Sequence, residues 1–299
     1  MKRFVLALLV VMAALVLVAP AGQGAPFEAE VRYAQVGADR IAWYERGSGP
    51  PLVVAIGTGS TMSEWDPALL RLLSENRRLI LFDYPGIGLS SKLRGGKTSF
   101  AALADTTNEF MDAIGVGQAD VLGWSMGGFV MQQLAIRHPD AVRRLFLAGT
   151  NPGGDHTELG DDDDQDADTD PDPERAISIL YPRTEAGRAE GWAFLDRLDT
   201  ASESGEIPDD FDVPAATVRA QVAAEDPWLR SNANFNALAQ LRMPALVTAG
   251  KLDRVTPPSN ARWIAKQIPG ARLELFNDAH AFLFSERVRF ARVVNDFLG

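Results

Sequence analysis

Short unbroken apolar runs recur along the chain, separated by longer stretches with helical spacing. Leu52 to Ile56, Leu79 to Phe82, Ala119 to Leu122, Leu145 to Leu147 and Ala245 to Val247 read as strands buried on both faces. Leu273, Leu275 and Phe276 mark one more. Near the start, Glu30 to Val36 and Arg40 to Glu45 alternate loosely around Gly37-Ala38-Asp39, which predicts a β-hairpin. Between the buried runs, Phe100 to Ile114, Gly127 to Arg137, Ser259 to Gln267 and Val288 to Phe297 repeat at helical spacing. Buried strands alternating with amphipathic helices predict an α/β fold: a mostly parallel, eight-stranded sheet with helices on both faces.

The alternation breaks between the sixth and seventh strands. Residues 151–174 carry 11 acids and no Lys or Arg, which equals the formal net charge of -11 for the whole chain. The rest is therefore close to neutral, and this stretch is expected to be a solvated loop. An EF-type calcium loop starting at Asp166 would place Pro171 where Gly belongs and Ile177 where Glu belongs, so the register fails. Pro173 to Gln240 then looks helical, with Trp192, Phe194, Leu195, Trp228 and Phe235 as apolar anchors. The predicted organisation is a core from 27–150 and 242–299, with an acidic loop and helical insertion at 151–241.

Ahead of the core, Lys2 and Arg3 precede an apolar run from Phe4 to Ala19, and Pro20-Ala21-Gly22-Gln23-Gly24 follows. That is the pattern of a secretory signal peptide over 1–24, and it predicts export; the alternative is an uncleaved N-terminal anchor. The run is shorter than the ~20 residues of a spanning helix. No membrane association beyond that segment is expected. An acidic chain also has no general attraction for nucleic acid.

Cysteine is absent, which excludes disulfides, thiolate nucleophiles and cysteine-based metal sites. Gly123-Trp124-Ser125-Met126-Gly127-Gly128 follows one predicted strand and precedes a helix. This is G-x-S-x-G in the setting a nucleophile elbow requires: a turn so tight that the flanking positions take glycine and the serine is held in strained backbone. The hydroxyl needs a base. Of the three histidines, His138 falls at the far end of that helix and His156 in the acidic loop, where it is expected to be solvated. His280 remains, between the last strand and the last helix. Asp253 leaves the seventh strand at the same carboxyl edge of the sheet, where ligands of open α/β sheets bind. Asp278 is a rival, two residues from His280. A small acyl substrate follows from such a trio.

The chain order Ser125, Asp253, His280, the Asp83-Tyr84-Pro85-Gly86-Ile87-Gly88-Leu89-Ser90 stretch, Arg137-His138-Pro139 and Gly250-Lys251-Leu252-Asp253 together resemble the α/β-hydrolase superfamily, in its lidded, serine esterase-like branch. The resemblance runs from about Val31 to Leu298. It implies Ser125 as nucleophile, Asp253 as acid and His280 as base, with Met126 and Thr58 backbone amides as oxyanion donors. It implies no metal and no organic cofactor. Where the family usually has His-Gly after the third strand, this chain has Ile56-Gly57. Trp65, Trp124, Trp192 and Phe282 are candidates to line an acyl pocket, with the helical insertion as its lid. The implied activity is cleavage of small to medium apolar carboxylic esters. An iminopeptidase or amidase, a C–C bond hydrolase and a cofactor-free perhydrolase use the same trio, and a non-catalytic ligand-binding protein on this scaffold is the alternative of another class.

Overall fold

Eight strands form one sheet in the order β1-β2-β4-β3-β5-β6-β7-β8. The computed structural model describes residues 27–160 and 172–299; the predicted signal segment and the acid-rich stretch 161–171 lie outside the described residues. Strands β1 (Arg32–Val36) and β2 (Asp39–Arg46) are the predicted hairpin, and β2 runs antiparallel to β4 (Arg78–Phe82) as well. All other pairings are parallel, through β3 (Pro51–Ala55), β5 (Ala119–Trp124), β6 (Val142–Ala148), β7 (Ala245–Gly250) and β8 (Arg272–Phe276). β5 and β7 are buried at every position, which is why each reads as a continuous apolar run.

Alternate residues of these strands feed two core layers. Val53, Val121 and Val247 face α2 (Phe100–Ala113), α3 (Met126–Arg137) and α8 (Pro258–Gln267) through Phe110, Met131, Leu134 and Ile264. Leu52, Val54, Leu122 and Leu246 face the other way, onto α1 (Pro67–Leu73), the short α9 (Phe282–Ser285) and α10 (Arg287–Leu298). Helix α1 has no counterpart in the sequence reading. Its start is nevertheless set by local chemistry: Asp66 accepts the N–H groups of Ala68 and Leu69, and Pro67 occupies the first turn, where no backbone N–H is needed.

Between β6 and β7 lie α4 (Pro173–Leu180), α5 (Glu185–Glu203), α6 (Ala215–Leu229) and α7 (Ala233–Leu238). Helix α5 is fastened to the sheet layer along its length. Arg197 donates twice to the fully buried Asp66, at 2.7 and 3.0 Å, and shares Glu190 with Arg287 of α10. Just beyond α5, Glu206 accepts from Arg46 at 2.9 Å and from Arg71. Phe194 stacks on Phe284 at 5.0 Å. The insertion is thus tied down by ion pairs and ring packing. Among the described residues, no helix is long and apolar enough to cross a membrane.

Candidate active site

The turn from β5 into α3 forces Ser125 to φ 54° and ψ −123°, the one non-glycine residue with positive φ among those described. Such strain persists only where the surroundings over-determine it. Here they do: a Cβ at Gly123 would run into the Gly127 carbonyl, and a Cβ at Gly127 would run into the Ala55 carbonyl of the neighbouring strand. The second glycine therefore answers to β3 rather than to its partner across the elbow. Ser125 N–H is tied to the Ala148 carbonyl at the end of β6 (3.0 Å), which fixes the serine at the carboxyl rim of the sheet. The hydroxyl stands at the N-terminus of α3, where the helix dipole favours developing negative charge.

His280 reaches that rim on the loop between β8 and α9. Its Nδ1 lies 2.8 Å from Asp253 Oδ2, and both groups are buried. With Nδ1 held by a carboxylate, the basic nitrogen of the neutral ring is Nε2. The ring packs against the strand ends that carry the serine. Trp124, adjoining Ser125, donates its Nε1–H to the His280 carbonyl at 3.1 Å, with the two rings 5.2 Å apart. A Cβ on Gly149, the residue after Ala148, would sit 3.3 Å from His280 Nδ1. Glycine at that point leaves the imidazole room without pressing on it, and its φ of +52° suits glycine as well.

Asp253 follows β7 and is itself held in place. Its Oδ1 accepts the N–H groups of Val255 (3.0 Å) and Thr256 (2.9 Å), and its Oδ2 accepts the Thr256 hydroxyl (3.0 Å). The same hydroxyl lies 3.3 Å from His280 Nδ1. Asp278, the rival carboxylate, turns back onto its own backbone and accepts Ala279 N–H at 2.7 Å. Burial raises its pKa, and it plays no part in the histidine's contacts described above.

The loop after β3 completes the rim. Gly57 lies close enough that a Cβ there would be 3.2 Å from Ser125 Cβ. Thr58 and Met126 are buried beside it, and no acceptor for either amide N–H is found among the described residues. These are the two donors that the family resemblance implies. Farther along the loop, Gly59 N–H donates to Gln221 Oε1 at 2.9 Å, the Thr61 hydroxyl to the Asp210 carbonyl at 2.7 Å, and Met62 N–H to Asp83 Oδ1 at 2.7 Å.

Asp83 follows β4 and opens the Asp83–Ser90 turn, a structural element as its glycines and proline predict. Its carboxyl faces that of Asp210, with Gly88 wedged so closely that a Cβ would strike both. Burial first, and the Asp210 carboxyl after it, push Asp83 up to about 7 against the pull of Met62 N–H. Asp210 is raised too, chiefly by burial. Face to face and buried, the two carboxyls each disfavour a negative charge on the other.

Several candidates lie elsewhere. Trp65 is buried in the core, edge-on to Phe284 at 5.9 Å, and Phe282 is fully buried between Phe276 and Phe290. Both are packing residues, because the apolar layer under α1 and α10 needs their bulk. Trp192 is 41% exposed on α5 and donates to Glu174, away from the rim. Of the four candidate lining residues, Trp124 contacts His280 through both its ring and its Nε1–H. His138 caps the end of α3 and lies 2.7 Å from Asp105 Oδ1. His156 is not solvated as expected. It stacks on Phe235 at 3.7 Å and meets Trp263 edge-on, because the chain returns to the protein surface before the acid-rich stretch. No group of three or more His, Asp or Glu placed to hold a metal occurs among the described residues.

A family model described as alpha/beta hydrolase fold matches residues 50–191. The 2-hydroxymuconate semialdehyde hydrolase of Pseudomonas putida is 27% identical over 87% of this chain and 90% of its own length. The poly(3-hydroxyalkanoate) depolymerase of Ectopseudomonas oleovorans is 27% identical over 83% of this chain and 84% of its own. Among solved structures, an alpha/beta hydrolase fold protein from Chitinophaga pinensis superposes with a TM-score of 0.78 at 29% identity, covering 90% of this chain and 97% of that one. The chain belongs to the α/β-hydrolase superfamily, and these relatives, matched over most of their length, include hydrolases of quite different substrates.

Proposed function

We propose that the protein is a serine hydrolase that cleaves small to medium apolar carboxylic esters through an acyl-enzyme. The observation that carries the reading is the forced left-handed backbone of Ser125 at a rim shared with a buried His280–Asp253 pair. Backbone strain of this kind clusters where the side chain it presents has work to do.

In this reading His280 Nε2 takes the Ser125 proton as Oγ bonds to the acyl carbon. The carbonyl oxygen becomes an oxyanion between the N–H groups of Met126 and Thr58, where one donor is typically worth about 3 kcal/mol. Asp253 holds the Nδ1–H and stabilises the imidazolium. Collapse of the intermediate breaks the acyl–oxygen bond, and the imidazolium gives its proton to the leaving alcohol. Water then attacks the acyl-enzyme by the same steps, releasing the acid and restoring the serine. The insertion, with α6 over the loop after β3, keeps bulk water from the acyl-enzyme.

A second reading is favoured by the Pseudomonas putida relative: C–C bond hydrolysis on the same three side chains. Wild-type protein is expected to take a fluorophosphonate label at Ser125. Ser125→Ala and His280→Ala lose the label, and turnover drops by ~10⁴-fold or more. A panel of p-nitrophenyl esters of increasing acyl length, run beside 2-hydroxymuconate semialdehyde and an aminoacyl anilide, separates the two readings. Turnover of the semialdehyde far above every ester overturns the ester assignment. Folded wild type that stays unlabelled overturns the serine hydrolase itself.

A further inference from the structure

The loop that would hold one side of the oxyanion is not braced by its own strand alone. Gly57 abuts Ser125, and two residues later Gly59, at φ +65°, donates its N–H to Gln221 Oε1 at 2.9 Å. Gln221 stands in the middle of α6, in the insertion, and is 1% exposed. Thr58 lies between these two fixed points. Thr58 C=O and Gly59 N–H belong to one planar peptide unit, so an acceptor that holds the N–H also sets the direction of that plane. The only rotations left between it and the Thr58 N–H are the φ and ψ of Thr58. Glycine at 59 imposes little conformational restraint of its own, so without the bond the 58–59 peptide is free to turn over.

We propose that Gln221 is a positioning residue for the reaction: its carboxamide oxygen, delivered by the insertion, locks the 58–59 peptide so that the Thr58 amide points at the developing oxyanion. The inference rests on the serine-hydrolase reading above and adds to it the link between insertion and rate. Asp210, in the stretch just before α6 begins at Ala215, makes a parallel tie by accepting the Thr61 hydroxyl at its carbonyl. The loop is thereby held from the insertion at two points, one of which bears directly on the donor. A mispositioned donor weakens transition-state binding and leaves ground-state binding nearly unchanged, since a substrate carbonyl carries little of the charge that the oxyanion carries.

The test compares Gln221→Met, which keeps shape and removes the acceptor, with Gln221→Glu, which keeps an acceptor oxygen at the same reach. Steady-state kinetics use the best p-nitrophenyl ester for wild type. Q221M is expected to lose on the order of tenfold to a hundredfold in kcat, with KM within about twofold. Affinity for a phenylboronic acid, which mimics the tetrahedral state, falls by the same factor as kcat/KM. Q221E is expected to stay within about threefold of wild type. If Q221M does not accumulate folded, Gln221→Asn, which withdraws the acceptor by one methylene, carries the same expectation. Q221M at wild-type kcat overturns the proposal. Q221E as slow as Q221M also overturns it, since that pattern marks packing alone. Fluorophosphonate labelling of wild type separates the layers: label on wild type with unimpaired Q221M refutes only the role of Gln221, whereas no label on wild type removes the underlying reading as well.

Discussion

Ser125, Asp253 and His280 each lie at a chain position where a strand has just ended, and that is what made them legible in the sequence. The elbow motif specified its own backbone, and the glycine before Lys251 placed Asp253 on the same rim. Thr256 was less visible. It stands three residues beyond Asp253, a spacing that also suits a simple turn, and its contacts with both Asp253 Oδ2 and His280 Nδ1 exist only once β7 and β8 are side by side. Thr256→Val keeps the shape and removes the hydroxyl. One lost hydrogen bond to a carboxylate is worth ~1.5 kcal/mol, so kcat is expected to fall about tenfold with little change in KM. Steady-state kinetics on a p-nitrophenyl ester check this; wild-type kcat in the valine variant would show that Asp253 and His280 orient each other unaided. Gln221 had no local signal at all, because nothing in a helical stretch of the insertion foretells which amide it will meet.

At the scale of elements, the continuous apolar runs located the buried strands to within three residues at either end; β6 begins three residues before its run and β7 ends three residues after. β8 was faint because it is an edge strand, with only Phe276 of its five residues buried. Helix α1 escaped notice for a different reason. It is seven residues long and buried on most of its surface, so helical periodicity had no polar face to show. Its first turn depends on Asp66, which also receives Arg197 from α5. Asp66→Ala removes a cap and leaves the guanidinium without its buried partner, at an expected loss of about 3 kcal/mol. Asp66→Asn, which keeps a capping oxygen, is expected to lose less. Urea unfolding measures both; a loss below about 1 kcal/mol for the alanine variant would mean that α5 is not secured there.

For the whole molecule, the break in the strand–helix alternation pointed to an insertion between β6 and β7. It did not indicate how firmly the insertion is attached, since ion pairs such as Arg197–Asp66 and Glu206–Arg46 join residues more than a hundred positions apart. The buried Asp83–Asp210 pair is another such junction, and it gives the fold a pH dependence of definite sign. Asp83 is raised from 3.8 to about 7, so between those values the folded chain holds a proton that the unfolded chain has released. This contribution to stability therefore declines as pH rises through the window and levels off above about 7. Asp83→Asn cannot ionise and is expected to lessen the fall in thermal midpoint between pH 5 and pH 8. Equal slopes in the two proteins would show that Asp83 holds no such proton.

The amide bridge from α6 to Gly59 has a consequence for how such a chain can diversify. A helix that roofs a cavity is the natural place for new substrate preferences to arise, by trading one side chain for another. Under the positioning role proposed for Gln221, that helix also grips the loop beneath it, so a shift made to admit a bulkier guest would be felt as slower turnover. Lineages exploring new diets on this scaffold would have to alter the roof on either side of position 221 while keeping that one tether in place.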